Sequence, residues 1–170
     1  MRATQRDEFT TYVRERSTAL RRTAFLLCGD WHRAEDIVQT ALVKLYTAWN
    51  RIRRAEAVDS YARQIIVRTF LDERRRRSTT QEIPTGELPE VAGREPGSDE
   101  KLMVLAALAE VPPRQRAVLV LRFWEDLSIE QTAHLLGCRE GTVKSQTAHG
   151  LTALRAALAR AGYERAPVGA

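Results

Sequence analysis

Aromatic residues make up only 6% of this 170-residue chain, which holds two cysteines and three histidines. Cys28 and Cys138 are far apart and have no CxxC or Cys/His companion. That argues against a structural zinc site and leaves both as small buried or half-buried groups, with nothing to support a redox role. His32, His134 and His149 form no constellation with the cysteines or carboxylates, and no nucleophile stands with a base. No catalytic residue, metal ligand or cofactor is therefore assigned, and an enzyme is not expected. No stretch approaches the ~20 apolar residues that span a bilayer, so membrane insertion is not expected either. The opening MRATQRDEFTTYV carries charges where a signal peptide needs an apolar run, which points to the cytoplasm. Strand-like alternation, a glycine-rich phosphate loop and internal repeats are missing as well.

What remains is helical periodicity, and the expected fold class is all-α. The first helix is placed at about 5–28, with Thr4 and Asp7 as a capping-box pair and Gly29 as its stop. Asp30 then caps a second helix in which Ala34, Ile37, Val38, Ala41, Leu42, Leu45, Tyr46 and Trp49 recur at three- and four-residue spacing. Its other face carries Glu35, Asp36, Gln39, Thr40 and Lys44. An acidic pair at a helix start compensates the helix dipole, or it offers a docking surface to a basic partner; the residues alone favour the first. Residues 50–59 read as a loop. A third helix begins near Ser60, with Tyr61, Ile65, Ile66, Phe70 and Leu71 facing the core and Arg63 and Arg68 on other sides. It ends in Arg74, Arg75, Arg76 and Arg77, four adjacent cations that repel one another and are best explained by a polyanion.

The periodicity then breaks. Between 78 and 98 stand three prolines, three glycines and four glutamates, the composition of an extended acidic connector. Residues 1–78 carry 17 Lys/Arg against 10 Asp/Glu, residues 79–110 carry 2 against 7, and residues 111–170 carry 8 against 5. Two basic blocks flank an acidic one, an arrangement suited to two nucleic-acid-facing domains on a tether that repels DNA. The division expected is a first domain at 1–78, a linker at 79–98, a second domain at 99–165 and a frayed tail at 166–170.

In the second domain, Pro112 and Pro113 stop one helix and start the next, where Ala117, Val118, Leu121, Phe123 and Trp124 are apolar and Arg114, Arg116 and Arg122 are not. Residues 126–158 read as a helix-turn-helix. Ser128 and Gln131 form a capping box, Ala133 is small where two helices cross, and Gly137 permits a turn at positive φ. The next helix opens with Glu140, Gly141 and Thr142, turns Val143 inward, and presents Lys144, Ser145, Gln146 and His149 outward. A recognition helix needs that division between an anchored apolar side and a polar side that reaches base edges and phosphates.

Taken in order, HRAEDIVQTALVKLYTAW, YARQIIVRTFLDERRRR and VPPRQRAVLVLRFWEDLSIEQTAHLLGCREGTVKSQ resemble the polymerase-binding helix, promoter-melting helix and upstream-element domain of extracytoplasmic-function (ECF) type sigma factors. The TVKSQ ending is similar to a sigma-E-like branch common in high-GC bacteria, and 24 Arg against 3 Lys fits such coding. The resemblance implies two small helical domains, sigma region 2 and a region 4 helix-turn-helix. It implies that Glu35, Asp36 and Gln39 grip a clamp of the largest subunit of core RNA polymerase, with region 4 on its flap. It implies that Asn50, Arg51 and Arg53 capture a base of the minus-ten element, while Arg63, Arg68, Arg74, Arg75, Arg76 and Arg77 hold the strands nearby. Arg139, Glu140, Thr142, Lys144, Ser145, Gln146 and His149 would read the minus-thirty-five element of promoter DNA. An anti-sigma factor is a partner the resemblance admits.

This chain departs from the family at Arg68, where many members have Asn, and around Gln146, Thr147 and Gly150. The base preference of the recognition helix is therefore not transferable, and Gly150 is read as permitting close backbone approach to DNA or polymerase. Trp49 and Tyr61 are read as core residues ahead of stacking platforms. The competing function is a free-standing helix-turn-helix transcriptional regulator.

Overall fold

Gly29, at φ 72°, ends the first helix, and Asp30 starts the second by accepting from the backbone N–H groups of His32 (2.8 Å) and Arg33 (3.4 Å). A computed structural model describes residues 3–52, 55–80 and 98–163. Arg53, most of the acidic linker and the frayed tail expected from the sequence lie outside the described residues. Helix α1 spans Ala3–Cys28, α2 Trp31–Ala48, α3 Ala55–Thr80, α4 Ser98–Glu110, α5 Pro113–Leu119, α6 Ile129–Leu136 and α7 Glu140–Arg160. A 3-10 turn covers Trp49–Arg51 and a π-turn covers Val120–Trp124. No strand occurs among the described residues.

Two local expectations are corrected. Thr4 lies inside α1 rather than at its cap. The stretch read as a loop at 50–59 holds the 3-10 turn and the start of α3, which begins at Ala55. Ala55, Glu56 and Ala57 are strong helix formers, and helix propensity outweighs the lack of a long apolar stripe there. Phe123 and Trp124, apolar by residue type, are 59% and 54% exposed. The π-turn adds a residue to the helical turn and swings the side chains beyond it out of register.

In the N-terminal half α1, α2 and α3 pack mutually around Leu27, Ile37, Leu45, Ile66 and Phe70, all fully buried. Phe9 holds the far end of α1 against α2 through edge-on contacts with Tyr46 and Trp49, centroids 5.1 and 5.2 Å apart. Trp49 and Tyr61 both pack partly buried against this core, as the core reading required. In the C-terminal half α7 runs across α4, α5 and α6.

The two halves are not merely tethered. Leu108, Val111, Leu119, Val120, Leu121 and Leu135 belong to the same continuous apolar cluster as the N-terminal core. α1 meets α4, α5 and the π-turn, while α3 meets α5 and α6. Arg116, a cation among apolar residues of α5, is only 3% exposed at this junction. Its Nη1 donates to Leu27 O (2.6 Å), Nη2 to Ala109 O (2.6 Å) and Val111 O (2.8 Å), and Nε to Val111 O (3.2 Å). The carbonyls at Leu27 and Ala109 lie in the last turns of α1 and α4, which have no intrahelical donor and carry the negative end of the helix dipole. The guanidinium also sits 5.7 Å from the Phe70 ring centre. Burial, and secondarily the nearby Arg74, lowers its pKa to about 10.

Replacing Arg116 by Leu should lower unfolding free energy by about 2–4 kcal/mol, because each buried carbonyl left without a donor costs ~1–3 kcal/mol. Arg116→Lys, with fewer donors, should fall between, as read from urea midpoints.

Candidate nucleic-acid interface

The helix-turn-helix is built from local chemistry. Ser128 Oγ accepts from Gln131 N (3.0 Å) while Gln131 Oε1 accepts from Ser128 N (2.8 Å), so each side chain satisfies a donor the helix start leaves open. At the other end of α6, Gly137 takes φ 64°. Cys138 N donates to Ala133 O and Gly137 N to His134 O, the paired bonds of a Schellman stop. Ala133, Val118 and Val143 then form a small apolar cluster where α5, α6 and α7 cross.

With Val143 fully buried, the opposite side of α7 faces solvent. Arg139, Glu140, Lys144, Ser145 and His149 are exposed; Thr142 and Gln146 are half-buried. The structure thus brings the seven residues predicted to read DNA onto the N-terminal half of one helix and its cap. Gly150 has a different role from the one expected. It is buried, and a Cβ there would stand 3.1 Å from Leu119 Cγ and 3.3 Å from Gln115 Cβ. Its missing side chain lets α7 lie close on α5, not on an outside partner.

The arginines of α3 separate by angle. At about 100° per residue, Arg68 and Arg75 share one side of the helix, while Arg63, Phe70 and Arg74 share another. Arg68, Arg75 and Arg76 are exposed, and Arg75 reaches Asp72 at 3.4 Å. Arg63, Arg74 and Arg77 are half-buried. Burial first, then the neighbouring Arg33 and Arg77, makes the Arg74 guanidinium a weaker base than usual. Arg63 Nε donates to Glu125 Oε2 at 2.7 Å, so it is occupied by the C-terminal half. The predicted set is therefore not a single surface.

Asn50 and Arg51 are exposed on the 3-10 turn that begins at Trp49. Beside them an open groove of about 780 Å³ runs between α1 and that turn, lined in part by Asp7, Glu8, Tyr12, Glu15, Trp49 and Asn50. Asp59 accepts from the Tyr12 hydroxyl (2.9 Å) and from Arg16 Nε (3.1 Å). Burial, reinforced by that bond to Asp59, raises the Tyr12 pKa. The carboxylates on α1 were not singled out from sequence, since no spacing rule links them to Asn50 across more than thirty residues.

On α2, Asp36 and Gln39 are exposed, and Glu35 pairs with Arg21 at 2.8 Å. Asp36 lines a recess of about 270 Å³ with Arg33, Glu73, Arg76 and Arg77. Val43, 65% exposed, and Tyr46, 39% exposed, lie along the same side at seven-residue spacing from Asp36 and Gln39. Tyr46 was expected in the core; its ring meets Phe9 but its edge reaches solvent. This face of α2 is thus acidic at one end and apolar at the other.

The chain matches the family models described as Sigma-70 region 2 over residues 12–80 and Sigma-70, region 4 over residues 101–154. It is 40% identical over 151 residues to an RNA polymerase sigma-E factor of Streptomyces avermitilis, covering 87% of this chain and 83% of that protein. It is 33% identical over 158 residues to the ECF RNA polymerase sigma factor SigM of Mycobacterium tuberculosis, covering 93% and 79%. Its fold is shared with the sigma factor RpoE solved in complex with the anti-sigma factor NepR from Bartonella quintana, at TM-score 0.70 and 23% identity, over 89% of this chain and 97% of that one.

Because Gly150 sets the spacing of α7 on α5, Gly150→Val should destabilise the protein by about 1–3 kcal/mol through overpacking. Chemical denaturation monitored by circular dichroism measures the loss, and Thr152→Val on the exposed side of α7 should be nearly neutral.

Proposed function

The chain belongs to the sigma-70 family as an ECF-type sigma factor that directs transcription initiation, and we propose how it divides its surfaces between core polymerase and promoter DNA. A working unit at 1–78 and a second at 99–165 underlie that division. Asp36 and Gln39, with Glu35, dock on the basic clamp of the largest polymerase subunit, and Val43 and Tyr46 extend that contact with apolar area. Opposite charges at this edge chiefly raise association rate and fix register. The exposed Phe123 and Trp124 offer apolar surface to the polymerase flap.

The helix α7 lies in the major groove of the minus-thirty-five element. The observation that carries this is its division into a fully buried Val143 and an exposed row of Arg139, Glu140, Lys144, Ser145 and His149. Asn50, Arg51 and Arg53 hold a base extruded from the minus-ten element. The acidic groove beside Asn50 supports base rather than phosphate binding, because carboxylates accept from exocyclic amines and repel phosphates. Arg68, Arg75 and Arg76 hold the separated strand's phosphates, with Arg74 and Arg77 behind them. Arg63 joins them once free of Glu125. The RpoE relative was solved with an anti-sigma factor, and a protein covering both halves is a partner we assign here too. No helix among the described residues is long and apolar enough to cross a membrane.

In vitro transcription with core polymerase on a promoter library should yield sequence-specific starts. Their absence, with specific duplex binding by the free chain, would favour a free-standing regulator. Asp36→Arg should weaken assembly with core enzyme at least tenfold while leaving the circular dichroism melt unchanged; undiminished assembly would remove Asp36 from the docking face. Lys144→Ala should lower the slope of log K against log salt for promoter binding by about 0.9, the loss expected for one phosphate contact.

A further inference from the structure

Arg33, in the first turn of α2, is a cation whose hydrogen bonds the fold leaves incomplete. Its side chain is only 18% exposed, and its Nε and Nη2 are closed to solvent with no hydrogen-bond partner among the described residues. Glu73 Oε2 stands 3.6 Å from Nη2, an ion pair too long for a hydrogen bond. Arg116, by contrast, places its donors on backbone carbonyls. The backbone N–H of Arg33 is already taken by the Asp30 carboxylate, so the unmet donors belong to the side chain and not to the helix start. Buried donors without acceptors carry a standing desolvation cost, which an acceptor from outside removes.

Arg33 borders the recess of about 270 Å³ between α2 and α3, with Asp36, Glu73, Arg76 and Arg77. At ~30 Å³ per water it has room for roughly nine waters, which admits a phosphate or diphosphate group. Three guanidinium groups stand there against two carboxylates, of which Asp36 is exposed to solvent. Arg74 adds to the crowd of cations: its pKa is lowered by burial first, then by Arg33 and Arg77. At about 100° per residue, Glu73 and Arg77 lie roughly 140–180° around α3 from Arg68 and Arg75. The recess therefore opens away from the row of arginines assigned to the separated strand.

We infer that this recess is a seat for a terminal phosphate, free or on a nucleotide, with Arg33 turning its fork onto two phosphate oxygens while Arg76 and Arg77 supply charge from α3. Nε and Nη2 share one edge of the guanidinium, so two parallel bonds fill both open donors at once. A carboxylate fits that fork as well; charge makes the difference. A carboxylate or a strand phosphodiester brings one negative charge, whereas a terminal phosphate brings about 1.5–2 near neutral pH and answers more than one guanidinium. Occupancy also turns the charge beside Asp36 from cationic to anionic, which favours the approach of a basic partner. That consequence rests on the docking reading of α2; the seat itself does not.

Pyrophosphate titrated into the full chain at constant ionic strength, followed by calorimetry, tests the seat. One ion per chain should bind. Arg33→Gln should weaken it at least tenfold, while Arg14→Gln, at an exposed arginine on α1, should leave it unchanged. Glu73→Gln should tighten it at least twofold by removing the carboxylate that competes for Arg33. No saturable binding, no loss in Arg33→Gln, or an equal loss in Arg14→Gln would overturn the seat. So would acetate that competes as well as inorganic phosphate, which would hand the recess to a partner's carboxylate. An oligonucleotide without terminal phosphates that loses as much affinity in Arg33→Gln as pyrophosphate does would hand it to the strand instead. Should Arg33→Gln fail to fold, Glu73→Gln decides, and binding no tighter than wild type overturns the seat. Inorganic phosphate should also tighten assembly of wild type, but not of Arg33→Gln, with core polymerase at matched ionic strength. Phosphate bound in calorimetry without that effect would count against the docking role of Asp36 and leave the seat standing.

Discussion

The guanidinium of Arg116 binds the carbonyls that end α1 and α4 and the one at Val111 between α4 and α5, above the ring of Phe70 on α3. A buried cation needs its charge compensated and its donors filled. Here no carboxylate bonds to it among the described residues; helix C-termini compensate it through their unpaired carbonyls and dipoles. Because those carbonyls come from both halves of the chain, satisfying one side chain fixes the halves against each other. The continuous apolar cluster that runs from Leu20 through Phe70 to Leu121 and Leu135 can form only in that arrangement.

The same junction organises the functional surfaces. It turns Arg63 and Arg74 inward and leaves Arg68 and Arg75 outward, so one arginine-rich helix has a structural side and a solvent side. The π-turn that carries Glu125 into the junction also leaves Phe123 and Trp124 exposed beside it. An exposed apolar pair and an interdomain contact thus occupy neighbouring residues. Helix α7 packs closely on α5 at Gly150.

Much of the local architecture was legible beforehand. The Ser128–Gln131 box, the Gly137 and Gly29 stops, the Asp30 cap and the inward Val143 are short-range features, each decided within a few residues. The outward row on α7 came directly from them. The start of α3 was misplaced because residues 55–59 lack a strong stripe although they favour helix. Arg116, Arg63 and Glu125 were misjudged or overlooked because a charged side chain on an amphipathic pattern reads as solvent-facing until its partner is known. The partner of Arg116 at Leu27 is 89 residues away, and that of Arg63 at Glu125 is 62 residues away.

The sequence by itself determined the helices, their caps, the helix-turn-helix, the division of charge along the chain and the family to which these belong. Periodicity and capping depend on neighbours within one or two helical turns, and those are present in the written order of residues. Only the tertiary structure decided which arginines face the solvent, that Gly150 serves helix packing, and that the two halves meet through Arg116 and Glu125. Those outcomes depend on groups brought together across the whole chain, where a charge's burial is set by its distant partners and not by its neighbours in sequence.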